Sequence, residues 1–94
     1  MKFEGKQITV FGLSRSGIAV SRLLHDLGAN LCVTDPKSAD QLKTEIDALS
    51  DLDIDFLLGG HKPQCIKNKD MLVVSPGVPL DIPILVQAKH EGIP

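Results

Sequence analysis

Short apolar runs and helix-spaced apolar positions alternate along this chain. Gln7 to Phe11 (Q-I-T-V-F) is a β-rich run bounded by Lys6 and Gly12 and predicts a first strand. Val20, Leu23, Leu24 and Leu27 then follow the i, i+3, i+4, i+7 spacing of a helix that buries one face. Ser14 or Ser16 suits its N-cap and Gly28 its C′ position. Leu31 to Thr34 predicts a second strand closing on Asp35-Pro36. Ser38 and Gln41 have the spacing of a capping box, ahead of a second amphipathic helix marked by Leu42, Ile46 and Leu49. Ile54 to Leu58 predicts strand three, ended by Gly59-Gly60, and the polar stretch His61 to Lys69 has room for one short helical turn. Asp70 to Val74 predicts strand four, followed by Ser75-Pro76-Gly77. Asp81 and Pro83 then open a last helix through Ile84, Leu85 and Ala88 that stops at Gly92.

Nearly continuous apolar strands separated by helices predict an α/β fold whose parallel sheet is covered on both faces. Right-handed crossovers reduce this to a Rossmann-like, doubly wound sheet. Residues 1–94 form one domain with no internal repeat or interdomain linker. The sequence stops at Ile93-Pro94, just past a helix terminator, where a further strand is expected. The expectation is therefore an N-terminal piece of a longer protein, with an intact four-stranded domain as the alternative. A sheet truncated there exposes unpaired N–H and C=O groups, which gives an edge for self-association.

Composition removes several classes of function. A net charge of −2 and a pI near 5.8 give no electrostatic footprint for nucleic acid or an anionic membrane. Three Phe and no Tyr or Trp leave no aromatic platform for stacking bases. No apolar run approaches the roughly 20 residues of a membrane span, and the N-terminus lacks a signal-peptide core, so a cytoplasmic protein is expected. Cys32 and Cys65 have no second Cys or His at metal-like spacing and read as reduced structural residues.

In an open parallel sheet, ligands bind beyond the carboxyl ends of the strands where the strand order reverses. Three features fall at that edge. Gly12 to Gly17 keeps the first and third glycines of G-x-G-x-x-G, but Ser14 stands at the second, where close approach to a dinucleotide pyrophosphate is needed. The same residues match the glycine frame of a P-loop, yet Ile18-Ala19 follow where Lys-Ser/Thr must handle ATP phosphates and Mg²⁺. The loop thus suits a phosphate without being a standard NAD or ATPase loop; Arg15 and the hydroxyls of Ser14 and Ser16 add donors to the helix N-terminus. Asp35 lies about 20 residues on, where dinucleotide folds place a ribose-binding carboxylate. Ser75-Pro76-Gly77 follows strand four; there Gly77 permits close backbone approach and Ser75 offers a hydroxyl or an N–H. The plain alternatives are a capped βα turn, a turn aspartate and an ordinary tripeptide turn. His61, after the Gly59-Gly60 turn, could reach a ligand, though it reads first as a residue of a surface loop. No nucleophile–His–carboxylate order, paired acid or metal cluster is present, so the domain is expected to bind rather than to catalyse.

The residues Gly5-Lys6, Phe11 to Ala19, Leu27-Gly28-Ala29, Asp35, Gly59-Gly60-His61, Ser75 to Pro79 and Gly92-Ile93-Pro94 together resemble the first domain of the Mur ligases, within them the D-glutamate-adding branch. The resemblance covers essentially the whole chain. It implies a three-domain, ATP-dependent amide ligase of peptidoglycan synthesis whose first domain holds the UDP part of UDP-N-acetylmuramoyl-L-alanine. ATP and Mg²⁺ would belong to the other domains, leaving this chain without a cofactor or a catalytic residue of its own. By position, Ser14, Arg15, Ser16 and Gly17 correspond to the diphosphate loop; Asp35, Pro36 and Lys37 to the segment around the uracil; Ser75, Pro76 and Gly77 to a further loop against the nucleotide. Ser14 replaces a glycine frequent in that loop, and Pro36 removes one N–H that could reach the base. Two readings from other classes stand beside this one. The first is an NAD-binding Rossmann domain of a dehydrogenase or regulatory protein, and the second a flavodoxin-like interaction module without ligand.

Overall fold

The computed structural model describes residues 2–94. Four parallel strands, β1 (Gln7–Phe11), β2 (Asn30–Asp35), β3 (Ile54–Leu58) and β4 (Met71–Val74), form one sheet in the order β3-β2-β1-β4. Helix α1 (Arg15–Asp26) links β1 to β2, the short α2 (Lys43–Asp47) links β2 to β3, a 3₁₀ turn at Pro63–Cys65 precedes β4, and α3 (Pro83–His90) follows it. Both β2 and β4 flank β1, so the chain reverses its direction of winding at β1, and the crevice beyond β1 and β4 is the place where such sheets take ligands.

Alternation along the strands divides the interior in two. Ile8, Val10, Leu31 and Val33 point to one face and pack with Leu13, Leu24, Leu42 and Leu49. Phe11 points to the other, where Cys65, Ile66, Leu85 and Ala88 cover it. Both faces are thus covered, as near-continuous apolar strands require. Thr9 lies fully buried on that second side and donates its hydroxyl to the Cys65 carbonyl at 2.6 Å, which fixes the irregular 61–69 stretch against the sheet.

The helices depart from the sequence pattern in two places. Helix α1 buries Gly17, Ser21 and Leu24, whereas Leu23 and Leu27 stand exposed at 58% and 46%. Small residues win the inward stripe because they let the helix axis approach β1, so the larger leucines are turned outward. The capping box forms as read, with Ser38 N–H on Gln41 Oε1 at 3.0 Å and Gln41 N–H on Ser38 Oγ at 3.4 Å. It closes a turn, however, and regular helix begins only at Lys43. Both longer helices end as predicted on glycines. Gly28 (φ +89°) and Gly92 (φ +74°) take the left-handed C′ conformation, and the residues after them, Ala29 and Ile93, bond back to Leu24 and Ala88. At the outer edge of β4 the Leu72 N–H donates to the Pro94 carbonyl at 2.8 Å.

Candidate functional site

The loop after β1 is shaped by its two glycines. Gly12 adopts φ +97°, and a Cβ there would lie 2.9 Å from Val78 Cγ2 and 3.1 Å from Ser75 Cβ. A Cβ on Gly17 would run into the Gly12 carbonyl oxygen, so the first turn of α1 lies directly on the end of β1. Ser14 needs no glycine conformation: it sits at φ −97° as the N-cap and its Oγ accepts the Gly17 N–H at 3.4 Å. Between sequence alternatives, then, Ser14 rather than Ser16 caps α1. Arg15 and Ser16 are exposed, and neither side chain has a hydrogen-bond partner among the described residues. Their donors, with the helix N-terminus, remain available to an anion.

Asp35 ends β2 beside this loop, 9% exposed. Its Oδ2 accepts the Leu13 N–H and its Oδ1 the Lys37 N–H, each at 2.9 Å. The carboxylate therefore joins the β1–α1 loop to the Pro36-Lys37 turn. Ser75, expected to offer a hydroxyl or N–H outward, does not: its N–H donates to the Phe11 carbonyl at 2.9 Å and its hydroxyl to the Gly12 carbonyl at 3.0 Å. Only 4% exposed, it holds the β1 loop in place, and the exposed backbone of Pro76-Gly77 is what faces outward. A Cβ on Gly77 would meet nothing within 4 Å, so open space lies over that glycine.

These segments converge. A crevice of about 800 Å³ is bounded by the Gly12–Arg15 loop, by Asp35, Pro36 and Lys37, and by Ser75 and Gly77. Ser16, Gly17 and Pro76, singled out with them, lie on the same loops but not on the crevice wall. Gln41, Glu45 and Ala48 line it from the α2 side and Val78 and Ile82 from the β4–α3 side, residues whose apolar or helical spacing gave no signal of a site.

His61 also lines the crevice, contrary to its reading as part of a surface loop. Gly59 (φ +82°) and Gly60 (φ +138°) turn the chain so that their N–H groups reach the Asp35 carbonyl at 3.1 and 3.3 Å. The His61 ring then packs 5.2 Å from the Phe11 ring, centroid to centroid, with Nδ1 2.9 Å from Thr34 Oγ1. Burial holds its pKa below the ordinary 6.5, opposed in part by the Asp35 charge. Among the described residues, no group of three or more His, Cys, Asp or Glu side chains could hold a metal ion.

A family model described as "Mur ligase MurD-like, N-terminal domain" matches residues 6–94. The chain belongs to this family. Similar curated proteins include the UDP-N-acetylmuramoylalanine–D-glutamate ligases of Koribacter versatilis, 44% identical over all of this chain and 21% of the relative, and of Geotalea uraniireducens, 46% identical over 97% of this chain and 20% of the relative. That of Clostridioides difficile is 40% identical over 98% of this chain and 20% of its own length. The chain therefore spans about a fifth of the relatives it matches. Among solved structures, the MurD-like domain superposes on the A chain of Bacillus subtilis dipicolinate synthase with a TM-score of 0.70 at 19% identity, covering 94% of this chain and 28% of that one. Apo D-lactate dehydrogenase from Escherichia coli gives 0.63 at 20% identity, covering 84% and 22%. At such identities the likeness is one of fold, and it confirms the Rossmann-like sheet.

Proposed function

We propose that this domain holds the UDP moiety of UDP-N-acetylmuramoyl-L-alanine as the first domain of a cytoplasmic, ATP-dependent D-glutamate-adding ligase. The observation that carries this reading is the convergence on one crevice of the loop at the N-terminus of α1, with the unpartnered Arg15, and the hydrogen-bonded Asp35-Pro36-Lys37 turn beside it. Arg15, Ser16 and the N-terminus of α1 suit the diphosphate. The Asp35-Pro36-Lys37 turn, fixed by its own carboxylate, lies where base and ribose would extend. Ser75, bonded to the Gly12 carbonyl, ties the β4–α3 loop to the β1–α1 loop, and Gly77 lines the nucleotide side. Ligation of D-glutamate would proceed through ATP activation of the muramoyl peptide carboxylate to an acyl phosphate. The groups for that step, with ATP and Mg²⁺, belong to the rest of the ligase; the part played by this chain is to bind and orient.

Calorimetric titration of the 94-residue domain with UDP, UDP-N-acetylmuramoyl-L-alanine and NADH tests the reading. Binding of both uridine ligands, and none of NADH at equal concentration, is the expected result. NADH binding in preference to UDP would replace this reading with a dinucleotide domain.

A further inference from the structure

We propose that His61 is a specificity-determining residue of this crevice, donating from Nε2 to the C4 carbonyl oxygen of a uracil base. The inference rests on the uridine-diphosphate reading above and adds to it the group that recognises the base. The ring is held on two sides. The ring packs at a 43° tilt against Phe11 and its Nδ1 lies against Thr34 Oγ1, and both of those residues are fully buried. Its backbone is held as well, because the Gly59 N–H bonds to the carbonyls of Asp35 and Lys37, at 3.1 and 2.8 Å, and Gly60 to that of Asp35. His61 is thus tied to the very turn that the base would meet, rather than carried on an independent loop.

The buried Thr34 hydroxyl decides the tautomer. Nδ1 is the single hydrogen-bond partner of Thr34 Oγ1 among the described residues. If Nδ1 carried the proton, the buried hydroxyl hydrogen would be left without an acceptor, an unmade bond that costs about 1–3 kcal/mol. With Nδ1 accepting from Thr34, the ring proton sits on Nε2. Nε2 has no partner among the described residues, while the ring lines the crevice. A fixed N–H in a half-buried wall donates to a ligand carbonyl and rejects a ligand amino group, since two opposed donors leave both unsatisfied. Uracil presents carbonyl oxygens on both sides of its ring N–H, whereas cytosine replaces one of them with an amino group.

The experiment compares UDP, CDP and inorganic pyrophosphate by calorimetry at pH 7.5, for the wild-type domain, His61→Phe and His61→Gln. His61→Phe keeps a ring against Phe11 without the donor, and His61→Gln keeps a donor of similar reach, which guards against a result that merely reports misfolding. The wild type should prefer UDP over CDP by about tenfold, His61→Phe should reduce that ratio to within twofold, and His61→Gln should keep most of it. Pyrophosphate affinity should be equal in all three. An unchanged UDP-to-CDP ratio in His61→Phe, or an Nδ1-protonated ring in ¹⁵N NMR of the wild type, overturns the assignment of His61 alone. Wild-type protein that binds neither UDP nor pyrophosphate overturns the uridine-diphosphate reading itself, and the assignment with it.

Discussion

Asp35 Oδ2 accepts the backbone N–H of Leu13 at 2.9 Å, so a carboxylate at the end of β2 holds the loop at the end of β1. Its other oxygen holds the Lys37 N–H at the same distance. Position alone suggests a ribose- or base-reading carboxylate, but both oxygens already have backbone partners. Asp35→Asn places an amide NH₂ against one of two N–H donors. The variant should lose about 1–3 kcal/mol of stability, the cost of leaving a buried donor unmatched. Because the loop is disturbed as a whole, UDP and pyrophosphate affinities should fall by similar factors. Urea denaturation and calorimetry at fixed ionic strength check this. A selective loss of UDP would show that Asp35 reads the ligand as well as shaping the loop.

Arg15 and Ser16 make the opposite prediction. Both are exposed and have no side-chain partner among the described residues, so truncation should leave stability within about 0.5 kcal/mol. Arg15→Ala should nevertheless weaken UDP and pyrophosphate alike by roughly fivefold, about 1 kcal/mol for a favourable charge near an exposed helix end. The wild-type affinity should drop between low salt and 0.5 M NaCl, where the screening length shrinks to a few ångström, and the variant should respond less. An equal salt response in both proteins would remove Arg15 from the phosphate site.

Gly17→Ala tests the loop as a packing device. A Cβ there collides with the Gly12 carbonyl, and that oxygen cannot retreat because Ser75 donates to the same carbonyl at 3.0 Å. Overpacking of this kind costs about 1–3 kcal/mol, occasionally more, and it should also lift α1 away from the anion. Thermal melting and pyrophosphate titration should therefore both change. Gly77→Ala, with open space over its Cα, serves as the control and should fold normally.

Much of this architecture was legible in local pattern. All four strands, the glycine caps of α1 and α3, the Ser38–Gln41 box and the convergence of three loops at one sheet edge follow from alternation, spacing and turn chemistry. What was not legible depends on long-range contact. Leu23 and Leu27 satisfy helical spacing as well as Leu24 does, yet close approach to β1 favours the small residues Gly17 and Ser21 on the inner stripe. Ser75 looks free in sequence, but the Gly12 carbonyl that takes its hydroxyl is 63 positions away. His61 follows two glycines in a polar stretch, and nothing nearby shows that Thr34 and Phe11 await its ring.

Cys32 and Cys65 are buried, at 3% and 0% exposure, and burial pushes the Cys32 thiol above its usual range. Thiolate is the reactive form, so the folded domain should resist a disulfide reagent such as DTNB at pH 8. Both thiols should titrate once urea unfolds the chain. Rapid reaction of either in buffer would place it in a region that opens locally.

The pH dependence of stability isolates His61. Its folded pKa lies below the ordinary 6.5 because burial disfavours the imidazolium, with Asp35 opposing. The unfolded chain therefore binds the proton more readily, and stability rises with pH wherever that is so. The contribution is complete above the unfolded value and is lost as pH falls below it, down through the folded pKa. Protonation at Nδ1 also removes the acceptor of the buried Thr34 hydroxyl, which reinforces the sign. Wild-type protein should accordingly lose more melting temperature between pH 7.5 and 5.5 than His61→Gln, which has no group titrating at that position. His25, His90 and the carboxylates other than Asp35 are common to both proteins, so their contributions cancel in the comparison, and the Asp35 attraction opposes this sign without reversing it. Parallel declines in the two melting curves would show that the His61 ring accepts its proton as readily in the folded crevice as in water.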